Sequence, residues 1–267
     1  MDEQPISAAL KITATVMFLF LLAPVILVLP ISFSGENYMV FPPATWSTKW
    51  YGAFFADSKM LGALGTSTLL ALVVMALSLA IGLPAAYAIV RLKFRGAEAL
   101  LNLFTAPLLL PTIVLGLAIL ILFAAYGLLG TFTGLVIGHL VITLPYALRV
   151  LTTSIAGLPI IVEEAASTLG ASPLTVFRRM TLPLITPGIV ATCALSFLVS
   201  FDEAVISLFL TGPAITTLPV AMYQHVDSNA DPLVAAVSVL LIVLTLAVVL
   251  IVDRSVGLTK AFVKEGP

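Results

Sequence analysis

The sequence predicts an all-α membrane protein, and three observations carry that prediction. Apolar residues make up 61% of its 267 residues and charged ones only 9%, with a mean hydropathy of +1.19, a composition from which no water-facing surface can be built. Charge-free runs separate short polar segments along the chain. One lies between Lys11 and Glu36, and others extend from Met60 to Val90, Ala99 to Leu148, Met180 to Phe201, Ala204 to Val226 and Pro232 to Val252. A hydrocarbon core of about 30 Å needs roughly 20 helical residues, so these runs are long enough to cross it.

Six transmembrane helices follow, at about 10–32, 62–90, 99–125, 131–155, 187–211 and 233–252, within a single transmembrane domain over 1–267. The first run is expected to be a retained helix rather than a cleaved leader. Asp2 and Glu3 spoil a basic amino-terminal region, and Ser32 with Ser34 gives only a weak small-residue pair. The long Ala99–Leu148 run contains Gly127, Gly130 and Gly134 near its middle and is read as two helices joined by a turn. The fifth helix is expected to stop at Gly212-Pro213 and to be followed by a polar outer segment.

Basic residues fix the expected orientation, because cationic flanks stay cytosolic during insertion. Lys11, Arg91, Lys93, Arg95, Arg149, Arg178, Arg179, Arg254, Lys260 and Lys264 fall on one side, and only Lys49 and Lys59 on the other. Both termini and the segment 156–185 are therefore expected in the cytosol. Outside, Glu36, Asp57, Asp227 and Asp231 outnumber Lys49 and Lys59, a balance that suits a cationic solute but equally serves plain loop solubility. Arg149 is expected to anchor its helix at the headgroups.

Enzyme chemistry is not encoded in any local motif. No GxxxxGK[ST] phosphate loop is present, so neither ATP nor Mg is expected to be bound by this chain, and no catalytic residue is assigned. His139 and His225 stand far apart and without HExxH or Cys partners, and the lone Cys193 sits in an apolar helix. A packed or solvated role is expected for each histidine and a packing role for the cysteine, with no metal site. An ATPase-independent secondary transporter would fit poorly with one six-helix unit and a soluble loop, and a haem or metal enzyme lacks its ligands.

Between the fourth and fifth helices runs Glu164-Ala-Ala-Ser-Thr-Leu-Gly-Ala-Ser-Pro-Leu-Thr-Val-Phe-Arg-Arg-Met-Thr-Leu-Pro183. Pro159 suits the start of a short helix whose Val162, Ala165, Ala166 and Leu169 recur at i, i+3, i+4 and i+7 as one apolar edge, and Gly170 ends it. Ser172-Pro173 caps a second short helix carrying Arg178 and Arg179, expected to break at Leu182-Pro183. An apolar edge in the cytosol needs cover, from a partner protein or from lipid headgroups.

The spacing of that stretch, with Met180 where Ile is usual, resembles the docking loop of permease subunits of the six-helix ABC importer superfamily. More narrowly, the chain is similar to the second permease of the spermidine/putrescine class. Thr48-Lys-Trp-Tyr51, Arg91-Leu-Lys-Phe-Arg-Gly96, Leu195-Ser-Phe-Leu-Val-Ser-Phe-Asp-Glu203, Thr211-Gly-Pro213 and Leu218-Pro219 carry the narrower likeness. The resemblance implies a bacterial cytoplasmic-membrane protein paired with a second permease, two ATPase subunits that use ATP and Mg, and an external solute-binding protein. No nucleic-acid partner is expected.

Carried onto this chain, the likeness makes Glu164, Ala165, Ala166, Leu169, Gly170, Arg178 and Arg179 the ATPase-docking residues. Asp202 and Glu203, expected inside the fifth helix, are the acids within the membrane, where a buried carboxylate is costly and so a functional candidate. With Phe197, Phe201 and Tyr223 they would line a path for an amine, through charge pairing and cation–π contact, and Phe209 lies near enough to join them. In the competing reading Asp202 or Glu203 accepts hydrogen bonds from neighbouring helices or a broken backbone, or pairs with a cation in the partner permease.

Overall fold

A computed structural model describes residues 7–92 and 94–256. Lys93, Lys260 and Lys264, counted above for orientation, and Asp2 and Glu3 lie outside the described residues. Among those described, the chain is helical throughout, and the extended pairings are two isolated bridges, Ser34 with Trp46 and Gly212 with Ile215. Four helices are long and apolar enough to cross a membrane, or up to six if each of two bent pairs is one span.

The chain forms two compact units. One takes the chain up to Leu61 together with Met222–Leu244, and the other holds Gly62–Ala221 and the chain from Thr245 on. The first unit begins with α1 (Ala8–Ser32), capped where Ser7 Oγ accepts the Leu10 amide and unbroken by Pro24 and Pro30. Its apolar length is exposed, Phe20 to 75%, as suits a helix that lipid or protein must cover. Helix α2 (Lys49–Ala56) follows a ribbon in which Gly35 N–H bonds to Thr45 O and Ser47 N–H to Phe33 O.

Helix α3 (Ser58–Arg91) is the longest, and Pro84 does not interrupt it. The expected third span, 99–125, is not one helix. Helix α4 (Ala97–Thr105) passes into a 3-10 turn (Ala106–Leu109), and α5 (Thr112–Ala125) leaves at 103° to it. Proline explains the break: Leu110, which precedes Pro111, is forced to an extended ψ of 140°, and Pro111 offers no amide to continue the ladder. Gly127 and Gly130 then turn the chain at positive φ, and Thr131 caps α6 (Phe132–Ala156) through the Gly134 amide.

Helix α7 (Ile160–Thr168) and α8 (Pro173–Val176) form the segment expected in the cytosol. The helix does not break at Leu182-Pro183 as expected. A widened turn over Phe177–Thr181, with Leu182 N–H bonding to Phe177 O, leads into α9 (Leu182–Leu184), where Pro183 occupies a first turn that needs no donor from it. The chain then bends by 69° into α10 (Thr186–Phe201). The expected fifth span, 187–211, is also interrupted, because α10 ends at Phe201 and α11 (Val205–Leu210) starts anew. Helices α12 (Leu218–Ser228) and α13 (Leu233–Val256) complete the chain.

In the larger unit, Leu70 and Val74 of α3, Phe123 of α5, Leu135 and Ile142 of α6, and Ile206 and Leu210 of α11 share one core. Gly138 makes that core possible, since a Cβ there would collide with Leu210 Cδ1 and come within 3.3 Å of Ile206. A second core joins Ala86 of α3 to Leu148, Leu151 and Ile155 of α6 and to Ile185. No such contact exists at Gly62, where an added Cβ would meet nothing within 4 Å.

Candidate functional site

Helix α7 starts after Pro159 and ends in a Schellman turn. Gly170, at φ +85°, donates its amide to Ser167 O, and Ala171 donates to Ala166 O. Only glycine takes that backbone conformation without strain, so Gly170 sets where α7 stops. Ser172 Oγ then accepts the Thr175 amide and Pro173 fills the first turn of α8. Along the outer edge of this pair Glu164, Ala165, Gly170, Arg178 and Arg179 are exposed, and Leu169 is 89% exposed. Ala166 is half-buried, and a cavity of about 370 Å³ is lined by Leu174, Thr175, Arg178 and Arg179.

Glu163 faces the other way, about 100° around the helix from Glu164. Its Oε2 lies 2.9 Å from Arg91 Nε, and its Oε1 accepts the Thr181 hydroxyl at 2.7 Å. The Nε–H is not aimed at that oxygen, so the Nε–Oε2 approach is a charge contact rather than a directed hydrogen bond. Arg91 also donates from a terminal nitrogen to Leu158 O at 2.9 Å. Sequence reasoning used Arg91 as a topological charge and as part of the Arg91–Gly96 likeness, and passed over Glu163 beside the motif. The available signal was an acid and a base flanking apolar spans on the same expected side.

Asp202 and Glu203 do not lie inside a helix but in the gap between α10 and α11. The side chain of Glu203 bends back to accept the Ile206 amide at 2.9 Å, closing the first turn of α11. Asp202 caps α10 only through its backbone, and its side chain is exposed. Phe197 and Phe201, one turn apart on α10, stack with centroids 5.5 Å apart and planes at 17°. Phe209 instead lies against Gly116 of α5. Tyr223 is exposed on α12 and belongs to the other unit.

His139 of α6 spans the gap from inside the protein. Fully buried, its Nδ1 pairs with Ser200 Oγ at 2.9 Å and its Nε2 with Ser207 Oγ at 3.0 Å, one serine on each side of the break. Thr143, whose hydroxyl donates to His139 O, meets Ser78 of α3 at 3.0 Å and extends the buried network. The packing role expected for His139 is therefore specific: it clamps the two halves of an interrupted helix.

Three of the four acids expected on the outer side hold local backbone. Glu36 accepts from Ser34 Oγ at 2.6 Å and from the amide and hydroxyl of Thr45. Asp57 caps the amides of Lys59 and Met60, and Asp231 pairs with His225 at 2.9 Å while accepting the Leu233 amide. Lys49 sits over the Trp50 ring and bonds to Asn37. These bonds favour the structural reading of that acidic surplus over attraction of a cation.

Residues 78–259 match the family described as binding-protein-dependent transport system inner membrane component. The putrescine transport system permease protein PotI of Escherichia coli (strain K12) is 34% identical over 236 residues, covering 84% of this chain and 82% of the relative. The spermidine/putrescine transport system permease protein PotC of the same strain is 30% identical over 239 residues, covering 88% and 89%. The trehalose transport system permease protein SugB of Mycobacterium tuberculosis is 30% identical over 229 residues, covering 83% and 84%. Among solved structures, a bacterial ABC transporter involved in import of the acidic polysaccharide alginate superposes with a TM-score of 0.70 at 18% identity, covering 94% of this chain and 99% of that one. The methionine ABC transporter MetNI, inward facing, superposes with a TM-score of 0.60 at 21% identity, covering 75% and 97%.

Proposed function

This chain belongs to the family of binding-protein-dependent transport system inner membrane components, and from that premise we propose that it is the transmembrane permease of an ATP-driven importer for a small cationic solute, a polyamine of the putrescine and spermidine kind. The observation that carries the reading is likeness to PotI and PotC across more than four-fifths of either partner's length. We read the chain as six spans, the third made of α4 and α5 and the fifth of α10 and α11, with both termini cytosolic in a bacterial inner membrane.

In this reading the chain itself makes and breaks no covalent bond. Two ATPase subunits use ATP and Mg, a second permease completes the pathway, and an external binding protein delivers solute. The exposed edge of α7 and α8, with Glu164, Ala165, Ala166, Leu169, Gly170, Arg178 and Arg179, would meet an ATPase. Asp202, beside the Phe197–Phe201 stack, would take an ammonium group by charge pairing with aromatic faces nearby. Glu203 and Tyr223 complete the proposed pathway set, Glu203 by holding α11 where it is.

SugB, named for trehalose, reaches a similar identity to this chain, so likeness alone does not choose a cation. Another small nitrogenous solute, 4-aminobutyrate, an aminoalkylphosphonate or an opine, would use the same machinery. The deciding experiment is ATP hydrolysis by the reconstituted complex with its binding protein, challenged with putrescine, spermidine, 4-aminobutyrate and an aminoalkylphosphonate. Stimulation by a polyamine alone supports the proposal. Stimulation by another solute discards the polyamine assignment, and the absence of any associated ATPase sinks the importer reading.

A further inference from the structure

The exposed edge of α7 can receive a push, but a push moves the membrane helices only if something stiff connects them. One guanidinium and one carboxylate supply that connection in the larger unit. Arg91 is the last residue of α3, and its side chain reaches Leu158 O, just before α7, and Glu163 Oε2, on the inner side of α7. Glu163 Oε1 takes the hydroxyl of Thr181, at the end of the widened turn that feeds α10. Tyr87, one turn before Arg91, meets Phe177 of the same turn edge-on at 5.0 Å. The charged side chains are only 9% and 10% exposed.

We propose that Arg91 and Glu163 form the mechanical joint that transmits motion of α7 to α3 and α10. The inference rests on the reading that α7 docks on an ATPase. Such a joint needs two properties, and the pair has both. It is short and shielded from water, so the attraction between its charges is little screened and resists displacement. It also engages three pieces of chain at once, so α7 cannot shift without carrying the end of α3 and the start of the α9–α10 path. Glu164 and Leu169 can then be free for the partner, because Glu163 alone faces inward. Arg91 and Glu163 are positioning residues, with no contact to solute.

The test uses the full complex, both permeases, ATPases and binding protein, reconstituted in vesicles, with solute uptake and ATP hydrolysis measured together. Glu163→Gln keeps the shape and the acceptor for Thr181 while removing the charge; Arg91→Lys keeps the charge but not the reach to two partners. For both, the ATPase is expected to co-purify as before and to hydrolyse ATP at a rate within about twofold, while solute moved per ATP falls about tenfold, a coupling change of ordinary size. The exchange Arg91→Glu with Glu163→Arg is expected to recover part of that ratio. An unchanged ratio in the assembled single variants overturns the joint. Loss of ATPase co-purification in Glu163→Gln overturns it too, because the pair would then serve docking. Failure of the unmodified permease to bind an ATPase sinks the underlying reading and the joint with it.

Discussion

Glu203 Oε1 accepts the Ile206 amide at 2.9 Å, and this one bond makes two neighbouring acids unlike. Glu203 is occupied in starting α11, whereas Asp202 is exposed at the end of α10 with its carboxylate uncommitted. A charged hydrogen bond to an ammonium is worth about 1.5–3 kcal/mol, which corresponds to about tenfold or more in affinity. Asp202→Asn is therefore expected to weaken solute uptake by about tenfold at unchanged thermal stability. Glu203→Gln keeps an acceptor and most transport, while Glu203→Ala removes the cap and costs about 1 kcal/mol. Uptake and melting temperature, measured on the same preparations, separate the two; normal transport by Asp202→Asn would remove Asp202 from the pathway.

His139 gives a second, non-additive prediction. As a neutral ring it donates from one nitrogen and accepts at the other, and Ser200 and Ser207 serve as its partners. His139→Leu fills the space but strands two buried hydroxyls, at about 1–3 kcal/mol each. Adding Ser200→Ala and Ser207→Ala removes the stranded groups and is expected to restore much of the loss. Thermal unfolding of the single and triple variants decides it, and equal melting of both would show that the clamp is not hydrogen-bonded in solution.

What could be read in advance divides along physical lines. Span existence came from uncharged length, and the cap at Ser172 and the stop at Gly170 came from local chemistry, because each depends on residues within one turn. At Leu110-Pro111 the proline promised a bend but not one of 103°, and the break at Asp202–Ala204 was missed. Hydropathy is blind to a bend that keeps every residue apolar, and in the second case the interruption is stabilised by His139, some sixty positions away in sequence. Pro183 misled in the opposite sense, since one widened turn absorbed it. In α7 the periodicity pointed to Ala165 and Leu169, which are exposed, and to Val162 and Ala166, which are half-buried, but Glu163 was not legible, because its partner Arg91 belongs to another helix.

Gly170 supplies a prediction about the docking edge. At φ +85° an alanine costs about 1–2 kcal/mol although its Cβ would meet nothing within 4 Å, so the penalty is conformational and not steric contact. Gly170→Ala is expected to fray the end of α7 and reduce ATPase co-purification, with Gly170→Asn milder because asparagine tolerates the left-handed region. Leu169→Glu, at the most exposed apolar position of the edge, should reduce it further without lowering the melting temperature of the permease alone. Undiminished co-purification in both would place the ATPase contact elsewhere.

The ribbon before α2 carries the pH prediction. The Ser34 hydroxyl, and after it Thr45, hold the Glu36 carboxyl below its ordinary value of 4.5, because both donate to the ionised form. A depressed folded-state value means that the unfolded ribbon binds the proton more readily, so the stabilisation is fully present above that ordinary value and is lost as pH falls through the lower one. Near neutral pH the ribbon should be insensitive, and loosening should begin only in the acid range. Both tryptophans of the chain, Trp46 and Trp50, flank this segment, so intrinsic tryptophan emission of the purified chain reports on it directly. Acid titration is expected to shift that emission in the native chain. Glu36→Gln, which cannot titrate, should lack the transition, and an identical acid transition in Glu36→Gln would assign the effect to another group.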